Sequence, residues 1–441
     1  MTATARSNWQ IDAHDALTAS DGVAALARTV LVVTDALDEV ETLGQLLIRL
    51  GYRVQVAFAQ KGRIHGVPEL APDAVLFHID RTDDADGLVA VIADHVGSPL
   101  VPLIGYLAAD APRPSALDSV LFAPAHPQQI THRVDAMIRL QAMQREILVR
   151  QQVLRASFGQ DTSIAPDALL RRLRVLFIGK ARPDFMVILN ALRERDVEVV
   201  AAFTSFTAFD YLHGREFDAV IIDATTAIEP ATAILSSMSR NVRLHHMPKI
   251  VLTSPDSRIA PDLLDCATDV ITGAQPTTEL ANRILEPANS HRLHSQLRAE
   301  FDAMGDASVR DPDTGLYARE VLQAYTDFLR SEGETRVLCR IRLTPDADFA
   351  VDPAFVRVAM AQAGGLIAGL VRVNDLAARL SESEFAVAVP LMSAANLDRL
   401  AQRITDVIEC AAFESGRKGA GPFTLMANVS IDAPEGLEDA A

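Results

Sequence analysis

The sequence predicts an α/β chain of several domains, in which two parallel-sheet units precede a mixed α+β unit. Three observations carry that expectation. Short apolar runs alternate with amphipathic helical stretches, the whole alternation occurs twice, and beyond residue 311 the pattern changes to strands joined by a tight turn. A chain of 441 residues also exceeds what one hydrophobic core usually organises.

In the first unit, 27–140, the strand candidates are Val30–Val33, Val54–Phe58, Ala74–Ile79, Leu100–Ile104 and Ser119–Phe122. Between them lie stretches such as Val40–Leu50, with Leu43, Leu46, Leu47 and Leu50 at helical spacing. Strands buried on both faces read as continuous apolar runs, and their alternation with helices calls for a parallel sheet. The second unit, 173–288, repeats this with Arg174–Ile178, Glu198–Phe203, Ala219–Asp223, Lys249–Leu252 and Asp269–Ile271. Pro72-Asp73-Ala74-Val75-Leu76 has its counterpart in Phe217-Asp218-Ala219-Val220-Ile221, which marks a true internal repeat.

Each unit ends in a helix that runs into a polar connector. Gln129–Leu154 carries Ile130, Val134, Met137 and Ile138 on one face before turning Arg/Gln-rich, and Glu279–Met304 precedes the last segment. The connectors, 141–172 and 289–310, read as linkers or dimerisation stalks. The opening extension, 1–26, lacks the basic start and long apolar core of a signal peptide. The third unit, 311–441, holds strand candidates Arg336–Leu343, Asp375–Leu380, Glu384–Val389 and Phe423–Ile431 with helices Phe355–Val371 and Ala394–Cys410.

Composition sets limits. A formal net charge of −17 argues against broad nucleic-acid binding, which needs a basic surface, but permits a small anionic ligand held by local arginines. Cys266, Cys339 and Cys410 show no metal or disulfide spacing, so no metal is expected and a reducing compartment fits. The most apolar stretch, Met360–Val371, is shorter than a membrane span, so no membrane insertion and a cytoplasmic location are expected.

Two motifs carry a family likeness. Asp311-Pro312-Asp313-Thr314-Gly315-Leu316-Tyr317 resembles the DPLTGLYNR opening of diguanylate cyclase (GGDEF) domains. Arg372-x-x-Asp375-x-x-x-Arg379-Leu380-Ser381-Glu382-Ser383-Glu384-Phe385 resembles their R-x-x-D-x-x-x-R-L-G-G-D/E-E-F run. The two repeated units resemble response-regulator receiver domains. The resemblance therefore implies two flavodoxin-like receiver folds, each a five-stranded parallel sheet, followed by an α+β degenerate GGDEF domain.

Cyclase chemistry needs glycines where the hairpin backbone meets the nucleotide and carboxylates to hold two metal ions. Here Ser381 and Glu382 replace the glycines, Ser383 stands at a metal-binding acid, and only Glu384 and Phe385 persist. Arg340-Ile341-Arg342 occupies the place of an Asp-x-Asp, and Arg357 falls at the guanine-reading acid. The expectation is a domain without cyclase activity.

The inhibitory-site motif is kept. By resemblance, Arg372 and Asp375 bind cyclic di-GMP, an Arg fork meeting guanine O6 and N7 while a carboxylate accepts from guanine N–H groups. Arg399 and Arg403 share a helix face, and Arg403 falls at the family's secondary-site arginine. The plainer reading makes Arg372 and Asp375 a surface ion pair of little energetic consequence and Arg399 a solvated helix residue.

The receiver positions are eroded. In the first unit Thr34-Asp35 stands for the acid pair, and Ala123-Pro124 replaces the Lys-Pro. Its phosphoacceptor falls on His78 or Asp80 according to the anchoring, with Asp80 the better candidate. In the second unit Asp223 and Thr253 end their strands, but Gly179-Lys180 replaces the acid pair and Gly273 the lysine.

Two functions follow. One is a cyclic di-GMP-gated scaffold; by resemblance it works as a homodimer whose partners are protease adaptors and substrates, in cell-cycle control at a cell pole. The other is a phosphorylation-driven response regulator, modified at Asp80 or Asp223 with Mg²⁺, whose GGDEF-like domain only dimerises. The stretch after Phe423–Ile431 also reads as a shortened version of the family's last helical region.

Overall fold

The computed structural model describes residues 28–35, 37–60, 63–66, 72–78, 85–97, 100–108, 113–123, 125–160, 171–241, 243–254, 266–273, 276–347, 351–415 and 421–432. These fall into two compact units, one holding 28–144 and 165–298, the other 145–164 and 299–441.

In the first unit, β1 (Thr29–Thr34), β2 (Arg53–Gln60), β4 (Ala74–His78), β5 (Leu103–Ala108) and β6 (Ser119–Ala123) form parallel pairs in the order β2-β1-β4-β5-β6. This is the flavodoxin-like order expected. Every residue of β4 is buried, as continuous apolar strands between helical layers should be. A sixth strand, β3 (Arg63–His65), pairs antiparallel with β2 and corrects the expected five; three residues with one apolar side chain leave no periodicity to read. β5 also begins three residues later than Leu100, because Pro102 has no N–H to give a ladder and instead offers its carbonyl to Val75. Helices α1 (Leu37–Arg49) and α2 (Ala85–Val96) complete this half, and α3 (Pro127–Phe158) leaves it.

The second sheet holds β7 (Arg174–Ile178), β8 (Glu198–Ala202), β9 (Ala219–Asp223), β10 (Lys249–Thr253) and β11 (Asp269–Thr272), in the order β11-β10-β9-β7-β8. Its helices are α4 (Pro183–Arg193), α5 (Ser205–Gly214), α6 (Ile228–Arg240) and α7 (Thr277–Ala303). The repeat is physical as well as textual. Asp73 accepts the N–H of Thr29 at 2.7 Å, and its counterpart Asp218 accepts that of Arg174 at 2.7 Å. Each carboxylate stands just ahead of one strand, β4 or β9, and caps the first residue of its neighbour, β1 or β7.

The other unit contains a mixed sheet, β12-β14-β15-β13-β16, built from β12 (Tyr317–Ala318), β13 (Val337–Asp346), β14 (Leu376–Arg379), β15 (Glu384–Val389) and β16 (Thr424–Asp432). Three helices accompany it: α8 (Arg319–Ser331), α9 (Pro353–Leu370) and α10 (Ala394–Glu409). The sequence reading had only the last two. α9 has 18 residues and is long and apolar enough to cross a membrane by length and composition, more than Met360–Val371 suggested. Here Ala359, Met360, Ala363 and Ile367 pack into the core of the sheet.

The second half of α3 is not the solvated connector its polarity implied. Glu146 is buried and accepts Arg150 Nε at 2.7 Å, Tyr325 Oη at 3.0 Å and Arg336 Nη2 at 3.4 Å. Arg150 lies over the rings of Phe301 and Tyr317, 4.8 and 5.9 Å from their centroids. Burial, and then the Glu146 charge, push the Tyr325 phenol well above its ordinary pKa. Removing the carboxylate leaves the buried Arg150 guanidinium without its ion-pair partner, while Arg336 keeps Glu334 at 3.5 Å. Glu146→Ala is expected to destabilise the transition of this unit by about 3–5 kcal/mol, read from denaturant midpoints on the full chain. A change below about 1 kcal/mol would show that solvent already screens the cluster.

Candidate functional site

The site begins with a turn. Arg372 N–H donates to Asp375 Oδ2 at 2.9 Å, while Asp375 N–H donates back to the Arg372 carbonyl at 3.0 Å. This delivers the chain into β14 and draws the carboxylate inward, so that Asp375 is only 6% exposed. It is not half of a surface ion pair. Its second oxygen, Oδ1, is buried and has no hydrogen-bond donor. Burial raises the carboxyl pKa against the Arg372 N–H bond and the nearby Arg372 and Arg150 charges, and Glu146 raises it further.

Two arginines brace the turn. Arg403 Nη2 on α10 donates to the Leu370 carbonyl at 2.7 Å, and Arg150 Nη2 reaches the Val373 carbonyl at 3.5 Å. Arg372 and Arg403 are exposed, and among the described residues neither lies within ion-pair distance of a carboxylate. The structure thus brings Arg372, Asp375 and Arg403 to one turn. Arg399 is exposed and bonds Asn396 of its own helix at 3.3 Å. Sequence reasoning missed Arg150, whose place in a polar helix gave no sign that it would reach this turn.

The 381–383 hairpin lies at the far end of β14. Arg379, with a side chain 8% exposed, donates to the carbonyls of Ser381 at 3.0 Å and Glu382 at 3.1 Å, and to Asp311 at 2.9 Å and Asp313 at 3.3 Å. It ties the turn to the Asp311-Pro312-Asp313-Thr314-Gly315 opening. Burial raises the Asp311 carboxyl, but hydrogen bonds from Thr314 and Arg379 prevail and hold it below the ordinary range. Ser381 and Glu382 are exposed, and Ser383 and Glu384 are half-buried. Beside the hairpin opens a cleft of about 1180 Å³, lined in part by Arg310, Arg319, Arg357 and Ser381–Ser383. Arg310 and Arg319 flank the opening motif, whose likeness rests on residues 311–317 and draws no attention to its neighbours.

On the outer face of β13, Arg342 stands opposite Glu384 and grips it with Nε at 2.9 Å and Nη2 at 2.6 Å. Arg340 pairs with Asp432. Phe385 turns the other way and is fully buried. Among the described residues no group of three or more His, Cys, Asp or Glu could hold a metal ion.

In the receiver-like halves, β4 ends at His78, which contacts Thr34 Oγ1 at 3.5 Å, so His78 takes the strand-end position that Asp223 holds in β9. Asp80 and Pro124 lie outside the described residues. Asp223 Oδ1 accepts Thr225 N–H at 3.0 Å and its hydroxyl at 2.5 Å, and shares a cavity of about 390 Å³ with Lys180. A Cβ on Gly179 would fall 2.5 Å from that of Asp223, so an acidic residue does not fit there without a shift. Thr253 bonds Thr272 at 3.2 Å, and Gly273 adopts φ +75°, a conformation that disfavours lysine.

No protein-family model and no curated protein matches the chain. Among solved structures it is similar to a response regulator from Thermotoga maritima, at 18% identity over 27% of this chain and 99% of that one, TM-score 0.24. It is similar also to the GGDEF domain of FimX from Pseudomonas aeruginosa, at 21% identity over 30% of this chain and 87% of that one, TM-score 0.25. A third is the GGDEF domain of DgcB from Caulobacter crescentus in complex with c-di-GMP, at 18% identity over 31% and 83%, TM-score 0.23.

The raised Asp375 pKa gives a signed test. A carboxyl whose folded pKa lies above its unfolded value is a liability once both states are ionised, and the penalty fades as pH falls through the folded pKa toward the unfolded one. Asp375→Asn keeps an acceptor for Arg372 N–H and removes the buried charge. The variant is expected to be more stable than the parent at pH 7.5, with the gain shrinking by pH 4, in denaturant titrations at both values. A gain independent of pH would remove burial of the charge as its cause.

Proposed function

We propose that the chain is a cyclic di-GMP effector without cyclase activity, with a layout similar to that of PopA, an inactive relative of the cyclase PleD. The observation that carries this is the donor-less Asp375 Oδ1 at a turn flanked by two exposed arginines with no carboxylate in ion-pair distance among the described residues. A buried oxygen without a partner destabilises the protein and is tolerated where function uses it. A guanine edge supplies what is missing, with N–H donors for Asp375 and O6 and N7 for the Arg372 fork. Arg403 adds charge for a phosphate or a second ligand molecule, and Arg399 extends the same helix face. Because Oδ1 is enclosed, the ligand reaches it only if the turn shifts, which gives the two conformations different affinities and makes binding a switch.

Loss of catalysis is supported by the outer face of β13, where Arg342 holds Glu384 and Arg340 holds Asp432. Two-metal phosphoryl transfer requires carboxylates free to bind ions. The phosphorylation-driven alternative finds less support, since Gly179 has no room for an acid beside Asp223. By the PopA resemblance, the ligand-bound form recruits adaptors and substrates of a Clp-type protease at a cell pole, as a homodimer.

Calorimetric titration of the full chain with cyclic di-GMP is expected to show saturable binding. Arg372→Gly is expected to weaken it about 100-fold, the loss of two charge-assisted hydrogen bonds of about 1.5 kcal/mol each. GTP is expected to remain intact in the same samples. Equal binding by parent and variant would remove the site, and pyrophosphate release from GTP would remove the non-catalytic reading.

A further inference from the structure

A cavity of about 480 Å³, within the range of small-molecule sites, lies between α3, the approach to β10 and α7 in the unit that holds both receiver-like sheets. The chain carries 58 acidic and 41 basic residues, yet none of the lining residues is acidic. Two of its walls present buried cations. Arg133 donates to Ser119 Oγ at 2.9 Å, and Lys249 Nζ to the His245 carbonyl at 2.9 Å. Neither has a carboxylate within ion-pair distance among the described residues, although Arg133 is 8% and Lys249 5% exposed. The lining Ser239 hydroxyl is buried without a partner.

Asp269 favours the Arg133 charge from beyond ion-pair distance, and Glu286, which shares Ser119 with Arg133, is itself paired with Arg113. Burying cations without a direct ion-pair partner is costly, and two around one cavity call for an anion. The imidazoles strengthen the case. His246 lies with its ring centroid 3.5 Å from that of His245 and 6.0 Å from that of His294, tilted by 42° and 43°, and His291 lines the same space. We propose that this cavity binds a small phosphate-bearing anion, held by Arg133 and Lys249 and gripped more tightly as His246, His291 and His294 take up protons.

The surroundings define the sign of that pH dependence. Burial first, then the neighbouring imidazoles and Arg139, pull His246 down to about 4; burial and His294 do the same to His291, against an opposing pull from Asp218. Burial lowers His294 too, with Arg298 and Arg139 adding to it. Asp218 is engaged by Arg171 at 2.7 Å and Asp269 by Arg283 at 2.7 Å, so the nearest acids are committed elsewhere. On α3, His132 lines the cavity; Cys266 lies beside Lys249. The empty cavity therefore keeps neutral imidazoles at pH 7. An anion favours their charged forms, raises their pKa values and draws in protons.

Inorganic pyrophosphate titrated calorimetrically into the full chain at constant ionic strength tests this. Expected are one saturable site, affinity at least 10-fold tighter at pH 6 than at pH 8, and proton uptake read from buffers of different ionisation enthalpy. His246→Asn with His294→Asn should abolish the pH dependence, and Lys249→Met should weaken binding at least 10-fold, while both leave cyclic di-GMP binding unchanged. Arg372→Gly should leave pyrophosphate binding intact, which separates this site from the one proposed above. Absence of saturable binding at pH 6, equal binding by the variants, or loss of pyrophosphate binding in Arg372→Gly would overturn the proposal. So would saturable zinc binding without a response to pyrophosphate, which assigns the imidazoles to a metal instead.

Discussion

One buried carboxylate, Glu146, organises the unit that carries the candidate ligand turn. It takes Arg150, Tyr325 and Arg336 as partners, and with them it joins the second half of α3 to helix α8 and the start of β13. Arg150 then has little left to give. Its Nε serves Glu146, its face covers two aromatic rings, and only Nη2 reaches the 372–375 turn, at a weak 3.5 Å from Val373. Asp375, near enough to feel both charges, receives no donor for Oδ1. The orphaned oxygen is therefore a consequence of how Glu146 is satisfied. A stronger grip by Arg150 on the turn would loosen the Glu146 cluster.

The 381–383 hairpin holds its shape without glycine. None of Ser381, Glu382 and Ser383 has a positive φ, so the turn no longer needs glycine for its backbone. Its geometry is set from behind by Arg379, which binds two of its carbonyls and two acids of the Asp311–Asp313 opening. Ser381 and Glu382 are exposed, so their side chains occupy the solvent side of the turn.

Much of the fold was legible because burial on both faces leaves unbroken apolar runs, and because Asp73 and Asp218 hold the same strand-starting position in both repeats. What escaped reading did so for identifiable reasons. α8 buries Val321, Leu322, Tyr325 and Leu329 on one narrow face, and the charged residues between them resemble a linker. The connector after residue 140 looked solvated because pattern reading assigns polar residues to water, whereas Glu146 and Arg150 are buried through mutual satisfaction. At the ligand turn, the spacing of Arg372 and Asp375 was visible, but nothing in it distinguishes an exposed ion pair from an inward carboxylate. That difference depends on the Arg372 N–H bond and on Arg150, 222 residues earlier in the numbering of the chain (372 − 150 = 222).

Charged side chains are distributed unevenly along β14 and its neighbours. On β13, Arg342 at the hairpin end pairs with Glu384, and Arg340, level with Ala386, pairs with Asp432. The cleft beside the hairpin also holds Arg310, Arg319 and Arg357, for which no ion pair is seen among the described residues. At the other end, Arg372 and Arg403 have no acidic partner among the described residues, so their field remains available to an anion. Paired charges in contact largely cancel beyond a Debye length of about 8 Å, while unpaired ones still steer a charged ligand. In a chain of net charge −17, such a positive turn is one feature a small anion would find. Both ends of β14 thus present arginines, and what sets the 372–375 turn apart is the buried Asp375 Oδ1 without a donor, which adds an acceptor to the exposed guanidinium groups.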